Sequence, residues 1–189
     1  VSCLSEVEEL DFPAPLGRLE AAVTSGGLST APWTFAGKLQ RLENKTLRYP
    51  GHWKTFQAFQ QLGLFEQNPV TIKEESFIPR EVFHTLLQPK ISSDTVRDIC
   101  VIRVRCEGEI EGENAVCTLD LSETFDEETH FTAMEKFTGW HAGMVAILSA
   151  QKKLPKGAIP IEKALSGKML EEEAKKRGWT IKNNIIMGV

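Results

Sequence analysis

Thr46, Arg48, Tyr49 and His52 surround a Pro-Gly pair in the segment KTLRYPGHW (45–53). A surface turn needs the proline and the glycine, but it needs no guanidinium, hydroxyl or imidazole. Arg48 supplies a planar cation and Thr46 a hydroxyl, and together they could hold a carboxylate through two hydrogen bonds. Tyr49, the only tyrosine of the chain, adds a ring with a polar tip. The segment therefore predicts a rim that binds a small ligand.

A second polar stretch, SGGLST (25–30), offers further hydroxyl groups. Ser29 and Thr30 follow two adjacent glycines, which give the backbone unusual freedom. Together with the first segment, these hydroxyls could orient a carboxylate or an amine. The residue types alone leave a second interpretation open, because an arginine before a Pro-Gly turn can also be an ordinary surface residue.

Other catalytic and ligand motifs are absent from the sequence. It has no GxGxxG or GxxxxGK[ST] phosphate loop, no GxSxG nucleophile turn and no HExxH metal motif. The four histidines are scattered, and we interpret them as surface or packing residues. The acidic run SETFDEETH (122–130) lacks the calcium-loop pattern, so we expect a solvated loop. The sequence therefore predicts neither a metal site nor a nucleotide site in this chain.

Composition excludes two further classes of partner. The net charge is −4 and no dense Lys/Arg stripe occurs, which argues against nucleic-acid binding. No apolar run approaches the roughly 18 residues that a membrane span requires. The chain begins with Val1 and lacks the layout of a signal peptide, so we expect either a processed chain or part of a longer protein. The predicted location is the cytoplasm.

Four cysteines, Cys3, Cys100, Cys106 and Cys117, form no CxxC pair. No histidine lies at zinc-finger spacing from them, and a disulfide framework is typical of much smaller secreted chains. We therefore expect reduced and mostly buried thiols without a metal.

Periodicity predicts the elements that position these residues. Trp53, Phe56, Phe59 and Leu62 recur every third residue and predict a helix, whereas alternation over 96–121 predicts a hairpin. The predicted elements are a strand at 18–25, a helix at 33–42, an extended segment at 45–50, helices at 52–62 and at 79–87 (ended by Pro89), the hairpin, helices at 138–151 (capped by Thr138) and 167–178, and a strand from Trp179. This pattern favours one α+β domain over 1–189, with a mixed, largely antiparallel sheet and helices on one face.

Six segments, in order along nearly the whole chain, resemble the C-terminal domain of the saccharopine dehydrogenase family, including its lysine-dehydrogenase-like members. The segments are GGLSTAP, KTLRYPGHW, PREVFHTLLQPKI, FTAMEKFTGWHAG, GAIPIEKALSG and KKRGWTI. A single such segment would be weak support, but six in order are specific for the family.

This resemblance implies a role for the two polar segments. Family members place an N-terminal Rossmann domain, which binds NAD or NADP, beside a C-terminal α+β domain that binds the amino-acid substrate and often forms a homodimer. On the matching positions, Arg48 would pair with a substrate carboxylate, Thr46 and Ser29 would orient carboxylate or amine groups, and the Leu47 backbone would add a hydrogen bond. Thr30 belongs to the same turn as Ser29.

The expected reaction is hydride transfer between a nicotinamide and a carbon that bears an amine. Tyr49 and His52 are candidates for the general base. The Rossmann domain that would bind the cofactor is absent from this chain, so the chain alone is not expected to be active.

The sequence departs from the family pattern at two places. Saccharopine reductases carry an Arg-containing segment before the Ser-Thr pair, where this chain has SGG. A missing cation there favours a smaller amino acid, such as lysine, over saccharopine. Trp140 and His141 also replace a Phe-Pro or similar pair, and we interpret His141 as a packing residue.

Two other functions stay open. In the first, the domain is an assembly module whose hairpin face (96–121) drives dimerisation, and Arg48 is merely solvated. In the second, it is a regulatory ligand-binding domain that encloses its own pocket.

Overall fold

The chain folds as two compact units, Val1–Ser93 and Asp94–Val189. A computed structural model describes residues 1–24 and 27–188. All strand pairs within these ranges are antiparallel, and the strands form three small sheets accompanied by helices. The predicted α+β class with largely antiparallel pairing is therefore confirmed.

The described residues of the first unit form a three-stranded sheet with β2 at its centre, a two-stranded hairpin and three helices. Its elements are β1 (Ser5–Asp11), β2 (Arg18–Val23), α1 (Ala31–Thr34), β3 (Thr46–Arg48), α2 (His52–Gln61), β4 (Val70–Ile72), β5 (Glu75–Phe77) and α3 (Pro79–Ile91). Leu4, Ala22 and Trp53 form a buried cluster against which Phe56 and Phe65 pack. The third-residue spacing of α2 thus directs its aromatic face onto the central strand.

Phe83, the buried residue of α3, extends this aromatic core. Its ring centroid lies 5.0 Å from that of Phe65, 5.4 Å from that of Phe59 and 6.4 Å from that of Phe56. Tilted and edge-to-face contacts at these separations stabilise aromatic clusters beyond the area that they bury. The cluster holds α2 against α3, and α2 begins at His52, within the predicted rim.

The second unit consists of a long hairpin, a third strand and a set of helices. Its elements are β6 (Ile99–Ile110), β7 (Glu113–Thr124), α4 (Ala133–Glu135), a π-helical turn (Lys136–Trp140), α5 (His141–Ala150), α6 (Ile161–Ala164), α7 (Gly167–Lys176) and β8 (Lys182–Met187). β7 is the central strand of the sheet. Met144, Ala174 and Trp179 form the buried cluster of the unit, and Leu121 of β7 packs against it.

Three predicted helix boundaries were wrong. Gly37 adopts a left-handed φ of 72°, so the helix predicted at 33–42 is confined to α1. Pro89 lies inside α3, because a proline removes its own N–H but leaves the later bonds intact, and Ser92 still donates to the Gln88 carbonyl. The helix predicted to begin at Thr138 is preceded by α4 and the π-helical turn.

The cap of α4 is Thr132. Its hydroxyl accepts a hydrogen bond from the Glu135 N–H at 3.1 Å, and the Glu135 carboxylate accepts one from the Thr132 N–H at 2.8 Å. This reciprocal pair is a capping box, which satisfies two N–H groups that the start of a helix leaves unpaired. The same bond to Thr132 lowers the pKa of Glu135 below its usual value.

In the part of the chain that the structure describes, no disulfide bond joins the cysteines. The prediction that they are mostly buried was wrong, because Cys3 and Cys106 are exposed and the other two are half-buried. Cys106 lies in the part of β6 where side chains on both faces are exposed. Within residues 1–24 and 27–188, no helix has the length and apolar character needed to cross a membrane.

Candidate functional site

Strand β3 carries three of the predicted site residues, Thr46, Leu47 and Arg48. It pairs antiparallel with β2 in a register that sets Arg48 opposite Glu20. Residues directly opposite in such a pair project from the same face of the sheet. The register therefore brings a guanidinium and a carboxylate to one face.

Arg48 is exposed, and its guanidinium is only partly engaged. Nη1 donates to the Leu47 carbonyl at 2.7 Å, and the guanidinium carbon lies 6.0 Å from the centroid of the Trp53 ring. The ion pairs seen among the described residues do not include Arg48. A guanidinium has five N–H donors, so this one keeps donors for a carboxylate ligand.

Glu20 is half-buried on β2 and is held at the beginning of α2. Its Oε2 accepts a hydrogen bond from the Gly51 N–H at 3.1 Å. Gly51 has a φ of 93°, a conformation that favours glycine, so the Pro-Gly pair provides the bend that aims this N–H at Glu20. A carboxylate at a helix N-terminus is also favoured by the helix dipole.

Trp53 connects the helix to the strand beneath the site. Its side chain is buried, with 4% of the residue exposed, and its indole N–H donates to the Glu20 carbonyl at 3.0 Å. The indole thus fixes the backbone of Glu20 while its ring lies under the Arg48 guanidinium. Trp53 therefore fixes the backbone of Glu20 and lies beside the guanidinium of Arg48.

His52, the first residue of α2, is half-buried and stacks on Phe56 with a centroid distance of 4.4 Å. Burial lowers the pKa of His52, the positive charge of Arg48 lowers it further, and the charge of Glu20 partly offsets both effects. A lowered pKa keeps the imidazole neutral at neutral pH, where it can accept a proton. Tyr49 is 57% exposed, and its backbone carbonyl accepts a hydrogen bond from the His52 N–H.

Thr46 has a second hydroxyl as its neighbour. Its Oγ1 lies 2.6 Å from Oγ1 of Thr24, in a partly buried hydrogen bond. Because Thr24 follows the end of β2, this bond joins the strand end to the beginning of β3. The hydroxyl of Thr46 therefore also stabilises the pairing of these two strands.

The turn that carries Ser29 and Thr30 lies beside the beginning of β3. Ser25, which belongs to both the predicted strand 18–25 and the predicted turn, and Gly26 of that turn lie outside the described residues. A Cβ atom on Gly27 would lie 2.7 Å from Oδ1 of Asn44, which precedes β3, so a larger residue there would require the Asn44 side chain to move.

Ser29 is exposed, with a φ of 48°, and Thr30 is half-buried at the start of α1. The hydrogen bonds described for Thr46 and Arg48 involve neither of them.

The structure brings Thr46, Arg48 and His52 together with two residues that the sequence analysis missed, Glu20 and Trp53. Trp53 was assigned to the helix without a role in the site. Glu20 did carry a signal, since it is the one acidic residue of the strand segment RLEAAVTS. That signal became specific only through the register with Arg48.

A cleft of about 510 Å³ lies elsewhere in the first unit, between the end of α2, the β4–β5 hairpin and the start of α3. Its lining is apolar, with Leu62, Val70 and Ile72 among its residues and Glu66 as its charged group. None of the predicted site residues lines it. Such a lining suits an apolar ligand, so this cleft is a poor candidate for binding an amino acid.

Comparison with protein families confirms the resemblance to this family. The family described as the saccharopine dehydrogenase C-terminal domain matches residues 3–178, which is nearly the whole chain. The match includes β2, β3 and the beginning of α2, and so every residue of the candidate site. The chain therefore belongs to the saccharopine dehydrogenase C-terminal domain family.

Proposed function

We propose that this chain is the substrate-binding domain of an NAD- or NADP-dependent oxidoreductase that acts on the C–N bond of lysine, saccharopine or a related amino acid. Family membership supports a domain associated with an oxidoreductase. The remainder of the proposal depends on the site. Arg48 binds the substrate carboxylate, Thr46 and Ser29 orient polar substrate groups, and Thr30, Leu47 and Tyr49 line the same rim.

The juxtaposition of Arg48 and Glu20 carries this proposal. An amino acid presents a carboxylate and an ammonium group, and the two strands present a guanidinium opposite a carboxylate. Glu20 is fixed by Gly51, and Arg48 retains donors, so both can bind charge without a rearrangement of the strands. Charge-assisted hydrogen bonds of this kind are the strong ones, and they discriminate against neutral ligands.

The residues described here do not fit a dinucleotide. Such a site needs a parallel βαβ unit with a glycine-rich turn, whereas the described strand pairs are antiparallel and the sequence lacks GxGxxG. We therefore propose that NAD or NADP is bound by a separate Rossmann domain of the enzyme. The Rossmann domain would then bind the cofactor, whereas the present domain orients the amino acid and supplies His52 as the candidate proton acceptor.

Turnover by the complete oxidoreductase tests this assignment. Lysine and saccharopine are supplied with NAD or NADP while the absorbance of the reduced cofactor is followed. Arg48→Ala should lower kcat/KM by about 10- to 100-fold, since hydrogen bonds to charged groups contribute about 1.5–3 kcal/mol. Glu20→Gln keeps an oxygen that can accept from Gly51 but removes the charge, so it should lower kcat/KM by about tenfold.

Arg18→Ala is the matched control. Arg18 is an exposed arginine on the same sheet, but it pairs with Asp11 and Glu9 of β1, so its loss should leave turnover unchanged. An enzyme that turns over lysine or saccharopine equally well with and without Arg48 would contradict the proposed role. A protein that binds dinucleotide and turns over neither substrate would contradict the proposed reaction.

Exposed apolar residues on the second unit favour one further proposal, a homodimer. Ile102, Val104, Ile185 and Met187 share one face of the β6–β7–β8 sheet and are between 43% and 50% exposed. Apolar side chains grouped on one face are typical of interaction surfaces. Sedimentation equilibrium of the chain should show a dimer that Val104→Asp dissociates, whereas Thr118→Asp on the opposite face should leave it intact. A monomeric wild-type chain would overturn this proposal.

A further inference from the structure

Two cysteines face each other across the long hairpin of the second unit. β6 and β7 pair without a register shift over their whole length, and this register sets Cys106 directly opposite Cys117. The connecting turn consists of Glu111 and Gly112, whose φ angles of 54° and 85° are the left-handed pair that a tight two-residue hairpin requires. The turn thus holds the two cysteines in register.

The distance between the two strands suits a disulfide bond. Opposed residues of an antiparallel pair have Cα atoms about 4.5–5.5 Å apart, and disulfides join Cα atoms about 4.4–6.8 Å apart. Both side chains also project from the same face. The same register sets Cys100 opposite Glu123, so Cys106 and Cys117 are the two cysteines that the hairpin places opposite each other.

Oxidants can reach the pair in the monomeric chain, since Cys106 and Cys117 lie on the sheet face that the proposed homodimer covers. Cys106 is exposed. The next residue of β6 on the same face is Gly108, which has no side chain to cover the thiol. Cys117 is half-buried, and its thiol donates to Oδ1 of Asn183 on β8 at 3.6 Å. An exposed thiol beside a sheltered one allows the first to meet an oxidant and the second to displace it.

We propose that Cys106 and Cys117 form a reversible redox site that a low-molecular-weight disulfide oxidises. The Cys106 thiolate attacks one sulfur of the disulfide, which forms a mixed disulfide and releases one thiolate. The Cys117 thiolate then attacks the Cys106 sulfur, which forms the protein disulfide and releases the second thiolate. Two protein thiols are oxidised, the small disulfide is reduced to two thiols, and the two protons pass to the released thiolates.

Incubation of the chain with glutathione disulfide, followed by peptide mapping without reduction, tests this inference. We expect a Cys106–Cys117 linkage, the loss of two of the four thiols and no retained glutathione, all reversed by dithiothreitol. Retained glutathione on Cys106 with Cys117 still free would overturn the proposal. A bond between two chains, a linkage to another cysteine, or four unreacted thiols would overturn it as well.

Two variants make the test specific. Cys106→Ser should abolish the linkage and leave Cys117 without a partner. Cys100→Ser removes a cysteine from the same face of β6 and should leave the linkage unchanged. Loss of the linkage in Cys100→Ser would contradict the assignment. Far-ultraviolet circular dichroism of each variant confirms that the hairpin persists.

Discussion

Replacement of two buried tryptophans by phenylalanine should have unequal effects on stability. Trp53 and Trp179 are buried alike, with 4% and 5% of each residue exposed. Trp53 donates its indole N–H to the Glu20 carbonyl at 3.0 Å. Among the described residues, the buried Nε1 of Trp179 has no hydrogen-bond partner. Both substitutions replace an indole by a phenyl ring, so the difference between their effects on stability isolates the contribution of the indole N–H.

The difference should be about 2–4 kcal/mol. Trp53→Phe loses a hydrogen bond with a net contribution of about 1 kcal/mol, whereas Trp179→Phe removes an unpaired buried donor that costs about 1–3 kcal/mol. The loss of apolar contact is similar in the two variants and cancels in the comparison. Trp53→Phe should therefore be the more destabilising change, even though both residues contribute to a core.

Native-state hydrogen exchange measures each effect in the structural unit that contains the substituted tryptophan. Amides of β2 and α2 report on Trp53, and amides of α5 and α7 report on Trp179. Each variant accelerates amide exchange by some factor in its own set of amides. The factor for Trp53→Phe should be about 30 to 1,000 times the factor for Trp179→Phe. Equal acceleration, or a larger effect of Trp179→Phe, would refute the argument from the indole donor. Trp33→Phe is the control, because Trp33 is 77% exposed.

Three further predictions concern buried and titratable groups. Lys136 is buried in an ion pair with Glu123, so Lys136→Ala should lower the unfolding free energy of the second unit by about 3–5 kcal/mol in urea titrations, and the double variant with Glu123→Leu should recover most of the loss. Thr46→Val should cost about 1 kcal/mol because Thr24 loses its partner, whereas Thr46→Ser should cost less, and exchange at the β3 amides measures both. The lowered pKa of His52 means that the unfolded chain binds the proton first as the pH falls. The unfolding free energy of the first unit should therefore decline below about pH 6.5 and level off below the folded pKa, and an unchanged slope in His52→Gln would contradict this.

Local signals predicted much of the rim. Pro50 favours an extended residue before it, and Gly51 accepts a left-handed φ, so β3 and the start of α2 follow from neighbouring residues. The aromatic residues of α2 recur every third position, which is also a local signal, and this spacing predicted which face of the helix packs in the core. Glu20 was missed because its role depends on the pairing of β2 with β3, which are far apart in sequence. A strand register of this kind is set by packing and is not specified by any nearby residue.

Two helix boundaries were missed although their signals are local. Thr132 and Glu135 have the spacing of a capping box, but Thr138 and the glycine and alanine residues after it predicted a later start. Pro89 was interpreted as a stop, yet a proline near the end of a helix disrupts little beyond it. The opposition of Cys106 and Cys117 follows from the hairpin predicted at 96–121, but only the two-residue turn at Glu111 fixes which residues face each other.

The geometry of the site also has a consequence for substrate choice under the proposed function. Arg48 and Glu20 match the carboxylate and ammonium groups, which every amino acid carries. Groups that bind the shared part of a ligand series contribute equally to each member and so do not discriminate among them. Arg48→Ala should therefore lower kcat/KM for lysine and for saccharopine by the same factor and leave their ratio unchanged. A changed ratio would mean that Arg48 contacts a carboxylate that only saccharopine possesses. The site would then be built around the longer substrate, and the role assigned to Arg48 would be wrong.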